Sequence, residues 1–349
     1  MRRRAGAASR RRTGGPAPVQ TGAGRLSWPG WDRRPLREAV TDAVIPFVLR
    51  RLVQAVPTLF LVVTLSFFLV RLAPGGPFDL ERPLAPSAME NLRRVYGLDQ
   101  PLPVQYARYL GALLTGDLGP SFSVRDLSVA ELLGRGLPVS MTLGALALLA
   151  ALVLGVGLGG LAAAKRGRPL DHAVTALGTV ALTVPGFVVA PLLQIAFGLS
   201  LRWLPVGGWE GGAPAHLVLP VVTLALPQAA AIARLTRNAL LDVLATQPMR
   251  TLRALGLPRR VIALHALRGA ALPVISYLGP TAAGLLTGSV VVETIFGLPG
   301  IGRAFVDGAL NRDYTLVMGT VVLVAVFVVA FNLLVDLAYA LVDPRVRHA

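Results

Sequence analysis

LPVSMTLGALALLAALVLGVGLGGLAAA, residues Leu137–Ala164, runs for 28 positions without a charged side chain. A bilayer core of about 30 Å needs about 20 apolar residues as a helix, so this stretch is long enough to cross one. It is bounded by Arg135 on one side and by KRGR, Lys165–Arg168, on the other. Five other charge-free runs meet or approach the same length: Leu52–Val70, Ala173–Leu201, Leu217–Ala233, Gly269–Val292 and Tyr314–Val335. With their flanks they predict spans at about 48–72, 137–164, 172–201, 213–236, 269–292 and 314–341. Prolines 57, 185, 191, 220, 227 and 280 inside these runs predict kinks, tolerable where neighbouring helices satisfy the freed carbonyls.

Composition agrees with a membrane protein. Of the 349 residues, 54% are hydrophobic and only 15% charged, against roughly 25% charged in soluble domains. A soluble two-domain chain would need far more polar surface. The net charge of +16 invites a nucleic-acid reading, but its placement argues against one. Residues 1–51 hold twelve arginines and three acids, and residues 234–268 hold seven arginines and one acid. These two segments carry +9 and +6, nearly the whole excess, and both flank apolar runs, where arginine sets orientation.

The loops then fix a topology by the positive-inside rule. The basic tail, Lys165–Arg168, the segment after Ala233 and the end with Arg345 and Arg347 are placed in the cytoplasm. The loops Ala73–Gly136, Arg202–Glu210 and Glu293–Asp313 carry no positive bias and are placed outside. Both termini are therefore expected in the cytoplasm of a multi-pass protein of the cell membrane, in contact with lipid. Residues 1–46, rich in Arg, Gly, Ala and Pro, lack the large apolar residues of a core and are expected to be disordered. The paired arginines do not make a secretion signal, because no apolar run follows until Leu52.

Two soluble elements are expected. In the outer loop, residues 74–136, Ser87-Ala88-Met89-Glu90 reads as a capping box and Gly97 as a helix stop. A second helix is expected over Val104–Leu114, before Gly116, so the loop should fold as a small outer cap. The other element lies in LATQPMRTLRALGLPRRV, Leu244–Val261, within a cytoplasmic loop of residues 244–268. Thr246 could cap a helix with Pro248 in its first turn. Met249, Leu252 and Leu255 recur every three residues as an apolar face, Arg250 and Arg253 lie on another, and Gly256 can end the helix. Two turns are not stable alone in water, so this helix must dock on something. The alternative is a basic loop resting on anionic lipid.

Enzymatic chemistry is not legible. There is no cysteine, and the four histidines have no ligand spacing, so no metal site is expected. The single lysine, Lys165, is flanked by Ala164 and Arg166 and cannot complete a phosphate-binding G-x-x-x-x-G-K-[ST] loop. Any ATPase must be another polypeptide. No acid pair or histidine cluster lies in the uncharged cores, as an ion-driven transporter or a membrane-embedded enzyme would be expected to have. Gly155 and Gly159 form a G-x-x-x-G that reads as close helix packing before it reads as a dimer face.

RTLRALGLPRRVIALHALRGAALPVISYLG, Arg250–Gly279, resembles the permease subunits of binding-protein-dependent ABC importers, in the peptide/nickel branch. GSVVVETIFGLPGIGRAFVDGALNRDY at Gly288–Tyr314 and DLAYALVDPRVR at Asp336–Arg347 extend the resemblance, as do the outer YGLDQPLPVQYARYL and GDLG. It covers about Phe47 to Arg347. Leu252 and Leu255 depart from the small and basic residues common in that loop. The resemblance implies an all-α polytopic permease domain over residues 47–347, of the type I ABC importer (MetI-like) kind. It implies a heterodimer with a second permease, two separate ATP-binding subunits that bind ATP and Mg, and an extracytoplasmic solute-binding protein. No cofactor, catalytic residue or nucleic acid is then expected for this chain. The cargo would be peptides, with nickel chelates or another small solute as the alternative. The loop helix would be the coupling helix, with Met249, Arg250, Thr251, Leu252, Arg253, Ala254, Leu255 and Gly256 meeting the ATPase.

Overall fold

The computed structural model describes residues 19–21, 25–27, 36–72, 86–95, 97–124 and 126–342. Contacts divide the chain into two units, Met1–Phe47 and Val48–Ala349. In the first, β1 (Val19–Thr21) and β2 (Arg25–Ser27) pair antiparallel, with Gln20 opposite Leu26. Two strands of three residues are too small to be stable by themselves. The ladder, and the helix that starts at Leu36, are both additions to the tail expected from composition. The rest of that tail, residues 73–85 of the expected cap, and Arg345 and Arg347 lie outside the described residues.

Helix α1 (Leu36–Leu72) ends in the first apolar stretch, Leu49–Leu72. Two short helices follow, α2 (Pro86–Val95) and α3 (Leu102–Leu114). Helix α2 starts two residues earlier than the capping-box reading, with Ser87 as the N-cap, allows. Ser87 therefore sits inside the first turn behind Pro86, a residue suited to that place because it has no N–H to leave unpaired. Gly97, at φ +63°, closes the segment as expected, its N–H donating to Arg94 O at 3.1 Å. Helix α3 begins after Pro101 and docks on α1 by aromatic contacts: Phe67 stacks on Tyr109 at 5.7 Å between centroids, and the Thr64 and Tyr106 hydroxyls lie 2.6 Å apart.

Helix α4 (Val129–Ala164) contains the opening stretch. A capping box starts it: Ser128 Oγ accepts from the Glu131 N–H, and Glu131 Oε2 accepts from the Ser128 N–H at 2.9 Å. Next come α5 (Pro169–Thr183) and α6 (Gly186–Leu193), the latter continuing as a π-helix over Gln194–Ser200. The third expected span is therefore not one helix. The two halves meet at 102°, because Pro185 lacks an amide hydrogen and holds Val184 extended. The kinks expected at the other prolines did not become breaks; Pro191, Pro220, Pro227 and Pro280 all sit inside helices.

The chain continues through α7 (Pro214–Leu244), α8 (Gln247–Ala254), α9 (Arg259–Leu286), α10 (Val290–Ile295), α11 (Ile301–Leu310) and α12 (Tyr314–Val342). Among the described residues, five helices are long and apolar enough to cross a membrane, and the count reaches six when the bent pair is taken as one span.

Helix α4 is central, packed on α7 and α9. Apolar tails of lipid are as favourable to leucine as another helix is, so small residues that permit close approach must hold such a bundle together. A Cβ on Gly144 would collide with the backbone of Leu285, and one on Gly159 with the carbonyl of Ala233. At Gly155 it would lie 2.6 Å from Ile232 Cβ. The G-x-x-x-G is thus an internal contact with α7, as the plainer reading had it. Around this seam Leu143, Ala147, Ala151, Ile232, Val274 and Phe296 form the principal core.

Candidate coupling site

Helix α8 is made by punctuation on both sides. Thr246 occupies the N-cap position with extended backbone, followed by Pro248 in the first turn. The expected side-chain cap is not formed. The Thr246 hydroxyl instead donates back to Val243 O at 2.7 Å, closing the end of α7. At the other end Gly256 adopts φ +71°, its N–H donates to Arg253 O at 3.0 Å, and the Leu257 N–H donates to Leu252 O at 3.3 Å. These two reverse bonds satisfy the last carbonyls in a Schellman turn, which needs a glycine at that left-handed position.

The apolar face is smaller than its spacing suggested. Met249 is buried and Leu252 half-buried, in a cluster with Ala163 of α4, Leu240 of α7, and Ala266 and Ala270 of α9. Leu255 is 71% exposed. Six residues at about 100° each carry Leu255 well round from Met249, and it lies at the C-cap, beyond the last helical residue. The docking partner demanded by the short helix is therefore the chain's own spans, met through Met249 and Leu252. Arg250, Thr251, Arg253, Ala254, Leu255 and Gly256 remain exposed. Beside this surface a cavity of about 770 Å³ runs between α4, α7 and α9, with Arg253 and Arg259 among otherwise apolar walls.

The helices that carry α8 are clamped by a pair that charge counting did not identify. Arg237, two turns before the end of α7, binds Asp171 of α5 through both carboxylate oxygens, Nε to Oδ1 at 2.5 Å and Nη2 to Oδ2 at 2.8 Å. The Gly167 N–H adds a third bond to Asp171 at 2.9 Å. A bidentate arginine–carboxylate pair fixes orientation as well as distance. Arg237, counted in the sequence only as one of the charges flanking an apolar run, thus ties α7 to α5.

Two more buried acids lie elsewhere in the fold. Glu293 of α10 accepts from Ser140 Oγ of α4 at 2.8 Å and from the Gly302 and Arg303 N–H groups at 2.8 and 3.2 Å. Asp313 caps α12 through the Leu316 N–H at 3.0 Å and gathers Ser121, Phe122 and Ser123 onto its other oxygen at 2.5–3.0 Å. Ser140 lies 153 residues from Glu293 and Ser121 lies 192 residues from Asp313, pairings that single-sequence spacing cannot reveal. For Glu293 the available signal was an acid set among apolar neighbours, and Asp313, beside Asn311 and Arg312, carried no such signal.

Residues 155–348 match the family described as binding-protein-dependent transport system inner membrane component. Residues 44–139 match its N-terminal companion. The oligopeptide transport system permease protein OppB of Escherichia coli (strain K12) is 49% identical over 306 residues, covering 87% of this chain and all of that protein. The dipeptide transport system permease protein DppB of Bacillus subtilis (strain 168) is 41% identical over 302 residues, covering 86% and 97%. Among solved structures, an inward-facing form of the MetNI methionine ABC transporter superposes with a TM-score of 0.52 at 20% identity, over 61% of this chain and 96% of that one. That likeness concerns the fold. Apolar helices in this order, and matches that run over both segments of the chain, make this protein a multi-pass member of the binding-protein-dependent transport system inner membrane components.

Proposed function

We propose that this chain is one of two permease subunits of an ATP-driven peptide importer, and that α8 is the element on which a separate ATPase acts. The observation that carries the reading is the division of α8. Met249 and Leu252 hold it to the ends of α4, α7 and α9, while Arg250, Thr251, Arg253, Ala254 and Leu255 are left outward. A rigid, externally accessible lever is what a coupling helix requires, since force applied to its outer face passes straight into three spans. The Arg237–Asp171 clamp carries the same displacement to α5. Transport then follows from rigid-body movement of packed helices around a path shared with the second permease.

Peptide cargo is supported by the names of an oligopeptide and a dipeptide permease, 49% and 41% identical to this chain. In the same scheme a solute-binding protein delivers the peptide to the outer face, both termini lie in the cytoplasm, and ATP and Mg belong to the ATPases.

The test uses the complete importer in proteoliposomes. Arg250→Glu with Arg253→Glu should insert normally yet import labelled peptide at least tenfold more slowly, since loss of central interface arginines costs about 2 kcal/mol or more. ATP hydrolysis should persist without delivered transport. Import at the normal rate in this variant would remove α8 from the coupling path. Import that survives deletion of the ATPases would favour an ion-driven carrier instead.

A further inference from the structure

Helices α1 and α3 enclose, with the start of α12, a cavity of about 320 Å³ that the coupling scheme does not use. Among the described residues, buried side-chain polar atoms without a hydrogen-bond partner are few, and three of them belong to residues lining this one cavity: Arg71 Nε, Gln105 Oε1 and Tyr109 Oη. Such atoms cost free energy when left unpaired, so three together describe the ligand that would complete them.

The chemistry of the set is specific. Arg71 closes the last turn of α1, its guanidinium 5.0 Å above the Phe67 ring, and offers a charged donor. Burial pushes the Tyr109 phenol up to about 12, so it stays protonated at neutral pH and can donate as well. Gln105 cannot turn to mimic them. Its amide nitrogen already donates to Leu98 O at 3.2 Å and Gln100 O at 2.6 Å, which leaves its oxygen as an acceptor. Arg108, also on the wall, adds a second positive charge, while Asp117 lies at the same cavity with Oδ1 accepting from the Gly119 N–H. A ligand that satisfies the site presents anionic oxygens to Arg71 and Tyr109 and a hydroxyl donor to Gln105.

We propose that this cavity binds a glycerophosphate group: a phosphate ester set between Arg71 and Tyr109, with a free hydroxyl donating to Gln105. Arg71 stands at the terminus of an apolar span, where a phospholipid head group of this kind meets protein, but a soluble glycerophosphate carries the same chemistry. The assignment is independent of how α8 is used.

The full-length chain in detergent is titrated with short-chain phosphatidylglycerol, short-chain phosphatidylcholine, glycerol 3-phosphate or inorganic phosphate, and bound adducts are counted by native mass spectrometry. Phosphatidylglycerol should bind about tenfold more tightly than phosphatidylcholine, which has the phosphate without the hydroxyl. Tyr109→Phe should weaken that binding about tenfold, and Arg71→Lys should weaken it too. Because the Tyr109 hydroxyl has no hydrogen-bond partner among the described residues, Tyr109→Phe should not lower lipid-free thermal stability, which separates loss of a ligand from loss of the fold. Displacement of the lipid by glycerol 3-phosphate at comparable concentration would identify a soluble source, and failure to displace it a membrane source. Equal binding of the two lipids, binding indifferent to Tyr109→Phe, or no adduct at all, as from a cavity that holds only water, would overturn the assignment.

Discussion

Asp313 shows how one side chain can organise a junction. It is fully buried, which by itself raises a carboxyl pKa, yet the donors from Ser121, Leu316 and Ser123 outweigh burial and hold it below the usual aspartate range. A folded-state pKa below the unfolded value of about 3.9 means that the contribution is complete above that pH and fades as pH falls through the folded value. Asp313→Asn should therefore cost about 2 kcal/mol in thermal unfolding above about pH 5. That difference should shrink in more acidic buffer, and a gap that stayed constant to about pH 2 would count against this role. Asp171 and Arg237 allow a sharper test of pairing. Asp171→Asn and Arg237→Gln should each lower thermal stability, and the double variant should lose less than the sum. Additive losses would mean that the two groups do not act as a pair. None of these acids was singled out in the sequence, because their roles are set by partners in distant elements. The turn at Gly256 was legible because it depends on neighbours within one turn, whereas the spacing of Met249 and Leu252 gave an apolar face without naming the ends of α4, α7 and α9 that it meets.

At the scale of elements, α4 depends on which glycines meet a neighbour. Gly159→Leu places atoms against the Ala233 carbonyl and Thr236 and should cost about 1–3 kcal/mol or prevent insertion of a folded chain. Gly157→Ala, where a Cβ meets nothing within 4 Å, should be neutral or slightly stabilising. Thermal unfolding in detergent separates the two, and equal effects would mean that α4 and α7 do not pack as described. Charge-free length alone located the stretches that became α1, α4, α7, α9 and α12, since no soluble element needs so many apolar residues in a row. Pro185 was one of six prolines expected to kink a span, but nothing in the sequence set its 102° break apart from the others. Proline is tolerated in several of these helices, and which one breaks depends on what the neighbouring elements can accommodate. The apolar face of α8 was overextended for a simpler reason: a spacing of six residues drifts away from the first position on a helix of 3.6 residues per turn.

For the whole molecule, the account rests on α8 being fixed to this chain on one side and free for another protein on the other. The absence of cysteine makes that directly measurable, because each introduced thiol is the only one in the chain. Single cysteines at Arg250, Arg253 and Leu255, with Met249 as the buried comparison, are to be paired by mild oxidation with cysteines on the co-purified ATPase. The account predicts cross-links from the three exposed positions that form and break as ATP is bound and hydrolysed, and none from Met249. Cross-linking from Met249, or none from the exposed face while import proceeds normally, would contradict it.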